Sequence, residues 1–231
     1  MKQLALDITP PPLPTLDNFV PGRNGELVVA LYALANGASN DRFVHLWGEK
    51  GSGRTHLLRA VMATAERQGR RAEQFAAADA ADIDEHASVI ADDVDTLDAQ
   101  AQVALFNVHN KLQAGGGALV TSARVAPAGM NLRPDLVTRL AAGLVYQVHA
   151  LNDDEKRAAL SHHARARGFE LAPEVASYLL RHSRRDLPSL LTLLDALDRH
   201  SLATKRAITV PLLRELDEAT PADRKLRSEH P

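Results

Sequence analysis

Short apolar runs alternate with stretches of helical periodicity over residues 1–150. The runs are rich in Val, Leu, Ile and Ala and lie beside turn-forming residues, as expected of strands buried in a parallel sheet. Apolar residues at helical spacing predict helices near 27–34, from Arg54 onwards and at 99–113. Strands that alternate with helices predict an α/β fold, with a parallel five-stranded sheet flanked by helices. The predicted strands are 43–47, a run near 72–76, 88–91, 118–122 and 144–148.

After Leu151 only helical periodicity remains. Asn152 is suited to cap a first helix and Pro173 to begin a second. Leucines at i, i+3, i+4, i+7 and i+10 from Leu187 form the apolar stripe of a third, and a short fourth helix is predicted at 210–218. The predicted organisation is an extended proline-rich tail (1–14), an α/β core (15–150), a helical lid (151–220) and a flexible C-terminus (221–231).

A glycine-rich segment joins the first predicted strand to the helix that follows it. GEKGSGRT (48–55) reads as GxxxxG[KR][ST], in which glycines let consecutive backbone N–H groups face a bound phosphate. Thr55 stands where a hydroxyl commonly meets Mg²⁺, and the helix directs its positive dipole end at the same anion. Because a strand and a helix flank the loop, the segment predicts nucleotide binding. The alternative is a degenerate loop that has lost its ligand.

Arg54 departs from the usual form of this loop, which has lysine at that position. A guanidinium can pair with phosphate oxygens, although its planar fork differs from the point charge of an ammonium. We therefore expect nucleotide binding to be retained, with weak or no intrinsic hydrolysis.

Two aspartates follow the predicted strand at 88–91. A phosphate-loop protein needs a carboxylate at the end of a neighbouring strand to hold Mg²⁺, which makes Asp92 the metal-binding candidate beside Thr55. Asp93 is the candidate base that polarises the attacking water. The alternative is a solvated acidic turn, to which neighbouring aspartates would also belong.

Polar side chains further along the chain are additional candidates. Thr121 and Ser122 end the next strand near the expected γ-phosphate, although such residues are also common turn formers. Arg139, in DLVTRL, could stabilise transition-state charge on the nucleotide of a neighbouring subunit, and a surface ion pair is the alternative. Arg185 could reach the phosphates from the lid.

The composition is that of an ordinary folded protein, with 231 residues, 45% of them hydrophobic and 24% charged. The absence of cysteine excludes disulfides, thiolate metal sites and a cysteine nucleophile, and the ten histidines show no metal-ligand spacing. A net charge of −2 gives no global attraction to nucleic acid, so we expect DNA contact mainly through a partner. Without a bilayer-spanning run or a signal peptide, the chain is expected to be cytoplasmic and to have no membrane partner.

The assembled motifs resemble the AAA+ ATPase module of the bacterial replication initiator DnaA. TLDNFVPGRNGELVVAL (15–31) is similar to the opening segment of that family, which lies over the adenine. Too few residues follow the lid to form the initiator's helix-turn-helix domain, so the resemblance narrows, together with Arg54, to the regulatory inactivators of DnaA, the Hda group. It covers about 15–220 and is carried by GEKGSGRTHLLRA, SVIADDVD, ALVTSA, DLVTRL and RRDLPSLL, in this order.

The resemblance implies an AAA+ type P-loop core that binds ADP or ATP with Mg²⁺. Such proteins act with the DNA-loaded sliding clamp, the β subunit of DNA polymerase III, to stimulate ATP hydrolysis by DnaA; homo-oligomers are one possible assembly. Arg139 falls on the arginine finger, Arg185 on the lid arginine called sensor 2 and Asp92 on the Walker B acid, while Asp93 replaces the usual glutamate. The nucleotide-binding residues implied are Val20, Pro21, Gly48, Glu49, Lys50, Gly51, Ser52, Gly53, Arg54, Thr55, His56 and Arg185.

The tail is similar to the clamp-binding peptide QLxL of the same group. In QLALDI (3–8), Gln3 would hydrogen-bond through its amide while Leu4 and Leu6 enter an apolar pocket on the clamp. An extended peptide can dock with little loss of order elsewhere. The alternative is a terminal segment that binds no partner.

Two other functions remain open at the level of sequence. A self-sufficient ATPase, such as a loader or remodeller, would use Asp92 and Asp93 for its own turnover. A nucleotide-independent adaptor would carry a vestigial loop. A small-molecule kinase also uses this loop, but a three-helix lid without an evident acceptor pocket does not favour it.

Overall fold

The computed structural model describes residues 13–183 and 186–219. The chain divides into two compact units, one at 13–151 and one that includes the lid and begins at Asn152. The first unit contains strands β1 (Phe43–Trp47), β2 (Ala72–Gln74), β3 (Ser88–Ala91), β4 (Ala118–Ala123) and β5 (Leu144–Gln147). Its helices are α1 (Gly25–Ala35), α2 (Arg54–Arg67), α3 (Ala99–Gly115) and α4 (Pro134–Ala142).

The five strands form one sheet in the order β2-β3-β4-β1-β5, and every neighbouring pair is parallel. This confirms the predicted parallel sheet. The strand predicted near 72–76 ends at Gln74, because the chain turns into a short 3-10 segment at Ala77–Asp79. Both faces of β3 and β4 are buried, which explains why these strands read as continuous apolar runs.

Alternate strand residues point into two separate apolar cores, one on each face of the sheet. Ile90 and Val120 pack with α1 and α2 on one face. Val89 and Leu119 pack with α3 and α4 on the other. Helices therefore cover both faces, as predicted. Each fully buried leucine of these cores contributes roughly 2 kcal/mol to folding.

The second unit is helical and has its own core. Its first helix begins with a capping box, in which Asn152 Oδ1 accepts from Glu155 N (2.8 Å) and Glu155 Oε2 accepts from Asn152 N (2.7 Å). Leu190, Leu194 and Leu197 of the predicted stripe are fully buried. The helices of this unit are α5 (Asp153–Ala166), α6 (Pro173–His182), α7 (Leu187–Thr204) and α8 (Val210–Ala219).

A polar network joins α5 to α7 inside the lid. Arg167 donates from Nε to Asp198 Oδ2 at 2.9 Å and lies 3.2 Å from Asp195 Oδ1. His163 Nε2 lies 2.7 Å from the same Asp195 oxygen. Asp198 is almost completely buried, so its carboxylate depends on Arg167 for compensation. We call His163, Arg167, Asp195 and Asp198 the lid polar cluster.

Several predictions fall on residues that the structure does not describe. The clamp-binding candidates Gln3, Leu4 and Leu6 and the lid arginine Arg185 lie outside the described ranges, as does 221–231. Across the described part of the chain, none of the helices is both long enough and apolar enough to cross a bilayer.

Candidate nucleotide-binding site

The loop 48–55 follows β1 and leads into α2, and its glycines are required by the backbone. Gly51 and Gly53 adopt left-handed conformations, with φ of 84° and 102°. A Cβ at Gly48 would lie 2.4 Å from the backbone oxygen of Val148. Ser52 N donates to Glu49 O at 3.1 Å and closes a turn inside the loop. The glycines of the GxxxxG pattern are therefore required by the backbone conformation of this loop.

An unsatisfied polar atom lies within this loop. Ser52 is 6% exposed, and its hydroxyl has no hydrogen-bond partner in the described ranges. The first backbone N–H groups of α2, a 14-residue helix, also lack intrahelical acceptors. Because buried polar groups are normally paired, a buried free hydroxyl beside a helix N-terminus fits an anionic ligand. Glu49 and Lys50 lie exposed at the tip of the loop.

The two predicted magnesium-binding residues lie in direct contact. Thr55 Oγ1 donates to Asp92 Oδ2 at 2.6 Å. Since Ala91 pairs with Thr121 in the β3–β4 register, Asp92 follows beside Ser122, whose hydroxyl donates to Asp92 Oδ1. Hydroxyl and carboxylate oxygens are the ligands that Mg²⁺ prefers, so these residues fit the metal of a Mg–nucleotide complex.

Arg54 and Asp93 form an ion pair at the base of the loop. Arg54 Nη1 lies 3.0 Å from Asp93 Oδ1, and Arg54 as a whole is 8% exposed. Asp93 has φ of 47°, a conformation uncommon for any residue but glycine, and its N–H donates to Asp92 Oδ1 and Ser122 Oγ, both at 3.1 Å. The candidate base is thus held by the arginine that replaces the usual lysine.

Thr121 does not reach this site, contrary to our expectation. Side chains alternate along a strand, so Ser122 faces Asp92 while Thr121 points to the opposite face. There Thr121 Oγ1 lies 2.7 Å from His45 Nδ1. Burial is the main cause that lowers the pKa of His45 to about 4, so this imidazole is neutral near pH 7. The charges of Asp95 and Arg54 act on it in opposite directions.

The segment before α1 packs against the phosphate loop through Phe19, which sequence reasoning missed. The Phe19 ring would lie 2.8 Å from a Cβ at Gly53, and its centroid is 5.5 Å from that of His56. His56 Nε2 lies 3.0 Å from Thr15 O, and burial lowers the pKa of His56. Val20, the next residue, is half-buried. The predicted adenine-binding segment is therefore in contact with the start of α2.

Asn24 is a second residue that the sequence analysis missed. It is 3% exposed, and its side chain donates to His149 O at 2.9 Å and accepts from His149 N at 2.8 Å. The same amide nitrogen donates to Pro21 O at 3.0 Å. Pro21 is thereby tied to the chain that leaves β5. The only local signal is an asparagine before a predicted helix, which reads as a helix cap; Asn24 makes no such side-chain cap bond.

Arg139 lies apart from these residues, on the last turn of α4. It lines a small cavity together with Phe43 and Val44, which begin β1, whereas the phosphate loop follows the end of that strand. At roughly 3.3 Å per residue, the length of β1 alone separates the two levels by about 13 Å. Arg139 donates to Gln113 Oε1 at 3.4 Å, and its guanidinium carbon lies 5.9 Å from the Phe106 ring centroid.

Known proteins are similar to this chain in the lid and in the fold. Residues 153–216 match the family model of the Hda lid domain. Domain III of the replication initiation protein DnaA from Thermotoga maritima has a TM-score of 0.69 at 20% identity, over 89% of this chain and 96% of that one. AMPPCP-bound DnaA from Aquifex aeolicus has a TM-score of 0.66 at 22% identity, over 84% and 70%.

A RuvB variant from Thermotoga maritima is similar as well, with a TM-score of 0.65 at 17% identity over 89% of this chain and 71% of that one. Likeness at these identities shows the fold, which is the AAA+ fold. The prediction of an AAA+ type core with a C-terminal helical lid is therefore confirmed.

Proposed function

We propose that this chain, a DnaA-like AAA+ protein with an Hda-type lid, is a negative regulator of replication initiation. It binds adenine nucleotide, docks on the DNA-loaded sliding clamp and stimulates ATP hydrolysis by DnaA. The observation that carries this proposal is the separation of the two functional groups of the core. The phosphate loop follows the end of β1, whereas Arg139 lies beside its beginning.

Nucleotide binding is supported by the loop itself. Gly51 and Gly53 take left-handed conformations of the kind found in phosphate-binding loops, and the unpaired Ser52 hydroxyl is available to a phosphate oxygen. Thr55 and Asp92 would hold Mg²⁺, which neutralises phosphate charge in such complexes. Val20 and Pro21 would border the base. The nucleotide is ADP or ATP; AMPPCP, an adenine nucleotide analogue, is bound in the similar Aquifex aeolicus DnaA.

The proposal of weak intrinsic hydrolysis is supported by the ion pair between Arg54 and Asp93. A general base must be free to accept a hydrogen bond from the attacking water. Asp93 Oδ1 already accepts from Arg54 Nη1 at 3.0 Å, which fixes the carboxylate and leaves only Oδ2 for the attacking water. Asp93 in turn partly compensates the positive charge of Arg54, so Arg54 would attract a γ-phosphate less strongly.

The proposal that Arg139 acts in trans is supported by its position in the core. An arginine beside the start of β1 cannot reach a phosphate bound after the end of β1 of the same chain. It can reach the nucleotide of a neighbouring AAA+ module, where a guanidinium stabilises the charge that develops on the transferred phosphoryl group. The neighbour in this proposal is ATP-bound DnaA.

Clamp docking rests on the sequence of the tail. Gln3, Leu4 and Leu6 match the QLxL pattern, and the DNA that the clamp encircles would be contacted mainly through the clamp. If Gln3→Ala combined with Leu4→Ala leaves affinity for the clamp unchanged in surface plasmon resonance, this part of the proposal fails.

The central experiment measures ATP hydrolysis by DnaA in the presence of clamp-loaded DNA and this protein. Wild type is expected to stimulate hydrolysis. The stimulation by Arg139→Ala is expected to be weaker than that by wild type by a factor of about a hundred or more, because the arginine finger is removed. Arg133→Ala is the matched control, because Arg133 precedes the same helix but pairs with Asp135 at 2.7 Å. Equal stimulation by wild type and Arg139→Ala would reject the finger.

A self-sufficient ATPase is the second candidate, and the contact between Thr55 and Asp92 favours it, because a magnesium site is assembled within one chain. Hydrolysis by the isolated protein separates the two functions. Rapid turnover that does not respond to the clamp supports the self-sufficient enzyme, whereas slow turnover supports the regulator.

A further inference from the structure

We infer that α3 holds the guanidinium of Arg139 in position, with Phe106, His109 and Gln113 acting as positioning residues. We call these three residues the α3 seat. The inference rests on the proposed function, because it concerns the side chain proposed to act on the nucleotide of DnaA. It adds that a neighbouring helix of the same chain sets the geometry of that side chain before any partner binds.

The α3 seat occupies one face of its helix. Phe106, His109 and Gln113 stand at i, i+3 and i+7, a spacing that aligns side chains along a helix. The Phe106 ring lies on one side of the Arg139 guanidinium, with 5.9 Å between the guanidinium carbon and the ring centroid. The Gln113 amide oxygen accepts from Arg139 Nη1 at 3.4 Å.

These two contacts restrict a long side chain. An arginine free in solvent loses roughly 2 kcal/mol of rotamer entropy when it is fixed in one orientation. The ring face of Phe106 attracts the guanidinium, and the amide oxygen of Gln113 accepts a hydrogen bond from it. These contacts reduce the entropy that Arg139 still has to lose when the partner binds. A pre-oriented guanidinium therefore loses less conformational entropy when it binds the partner's phosphate.

His109, the third residue of the α3 seat, lies near Arg139 without repelling its charge. It is 4% exposed and stacks on Phe43, with 4.3 Å between ring centroids. Burial, and then the nearby charge of Arg139, lower the pKa of His109 to about 4, so the ring is neutral at physiological pH. His109 and Arg139 line the same cavity of about 10 Å³, room for one water molecule at most.

None of the seat residues is acidic, which distinguishes Arg139 from its neighbour Arg133. Arg133 lies 2.7 Å from the Asp135 carboxylate, which neutralises it. Arg139 has no acidic partner among the described residues, so its contacts orient the guanidinium while leaving its full charge for a phosphate. An arginine held in this way is suited to acting on a partner rather than to stabilising its own fold.

The first test compares maximal stimulation of DnaA hydrolysis at saturating protein. Phe106→Leu removes the ring face and keeps an apolar side chain, and Gln113→Ala removes an exposed amide. Each is expected to lower maximal stimulation about twofold to fivefold, with the half-saturating concentration unchanged. Phe106→Tyr should restore it, because a ring face returns. A packing role would instead follow side-chain volume and lower the melting temperature without changing maximal stimulation.

The second test needs no partner. The side-chain Nε–H signal of Arg139, identified by its loss in Arg139→Ala, is expected to shift in Phe106→Leu as the ring current disappears, and to remain shifted in Phe106→Tyr. If Arg139→Ala stimulates like wild type, the proposed function fails, and the spectrum still tests the seat. If Arg139→Ala is inactive while Phe106→Leu and Gln113→Ala stimulate fully with an unshifted Arg139 signal, the seat alone is overturned.

Discussion

At the scale of single residues, Arg54 is the side chain that most distinguishes this phosphate loop. A lysine ammonium carries one compact charge, whereas a guanidinium has five N–H donors in a planar fork. One of those donors already binds Asp93 at 3.0 Å, and the others remain for a phosphate. The arginine can therefore contact ligand and acid together, although each contact weakens the other by sharing one charge.

Asp93→Asn is expected to tighten nucleotide binding about twofold to fivefold, because a partly exposed ion pair of this kind is worth about 0.5–1 kcal/mol. The substitution removes a negative charge beside the phosphates and frees Arg54 for them. Isothermal titration with ADP and with ATP measures the change. Asp135→Asn, which opens the comparable pair with Arg133 on α4, should bind as wild type does. Weaker binding by Asp93→Asn would contradict the competition between the carboxylate and the phosphates.

His45 and His109 predict a loss of stability in acid. Burial lowers the pKa of each to about 4 from 6.5, so below about pH 6.5 the unfolded chain binds more protons than the folded one. The contribution of these two imidazoles to stability is therefore constant above that pH and falls as the pH drops towards 4, by roughly 2 kcal/mol for each imidazole at about pH 5.

Urea unfolding followed by the single tryptophan, Trp47, reports on the core unit, because Trp47 ends β1. His109→Phe keeps a ring against Phe43 and should make the stability difference between about pH 7.5 and pH 5 smaller by roughly 2 kcal/mol. His162→Phe, at an exposed lid position, is the control. An unchanged difference in His109→Phe would show that this imidazole is not the source.

At the scale of elements, the strands and helices were predictable because each has a local pattern. Buried parallel strands such as β3 and β4 are apolar on both faces, so their short runs stand out between turn residues. Asn152 and Pro173 marked the starts of α5 and α6 because capping involves only neighbouring residues. The elements and their order therefore follow from the sequence.

Contacts between distant residues were not predictable in the same way. The pairing of Arg54 with Asp93 joins residues 39 positions apart, and the bonds of Asn24 to His149 span 125. Neither leaves a periodic signal in the chain. The wrong prediction for Thr121 could have been avoided from the sequence alone. Side chains alternate along a strand, so only one of Thr121 and Ser122 can face Asp92.

The lid polar cluster predicts how α5 is held to α7. Asp198→Ala removes the carboxylate that binds Arg167 at 2.9 Å and should destabilise the lid by about 2 kcal/mol, because it leaves a charge without its buried partner. Hydrogen exchange in peptides from α5 and α7 measures this locally. Asp154→Ala, which opens the surface pair with Arg157, should cost only about 0.5 kcal/mol. Similar exchange in both variants would show that burial of Asp198 adds nothing.

At the scale of the whole molecule, the candidate nucleotide site is part of the core unit (13–151), so a ligand bound there would act on the stability of that unit. A ligand that binds only the folded state stabilises it by RT ln(1 + [L]/Kd). ADP at one hundred times its Kd should therefore raise the unfolding free energy of the core by about 2.7 kcal/mol, measured by Trp47 fluorescence in urea.

Gly48→Ala should abolish that stabilisation, because its Cβ would lie 2.4 Å from Val148 O and displace the loop. Gly129→Ala is the matched control, since its Cβ would meet Val125 at an ordinary 3.7 Å. Full stabilisation of Gly48→Ala by ADP would mean that the nucleotide binds elsewhere.

The placement of Arg139 and of the phosphate loop at opposite ends of β1 gives the core unit polarity. If Arg139 acts on the nucleotide of a related module, as proposed above, the two modules meet through different faces, which is a head-to-tail contact and not a symmetric one. Such a contact would leave the phosphate loop of the module that supplies Arg139 open to a third molecule. A row of such modules would end where either the arginine or the nucleotide site is missing or covered.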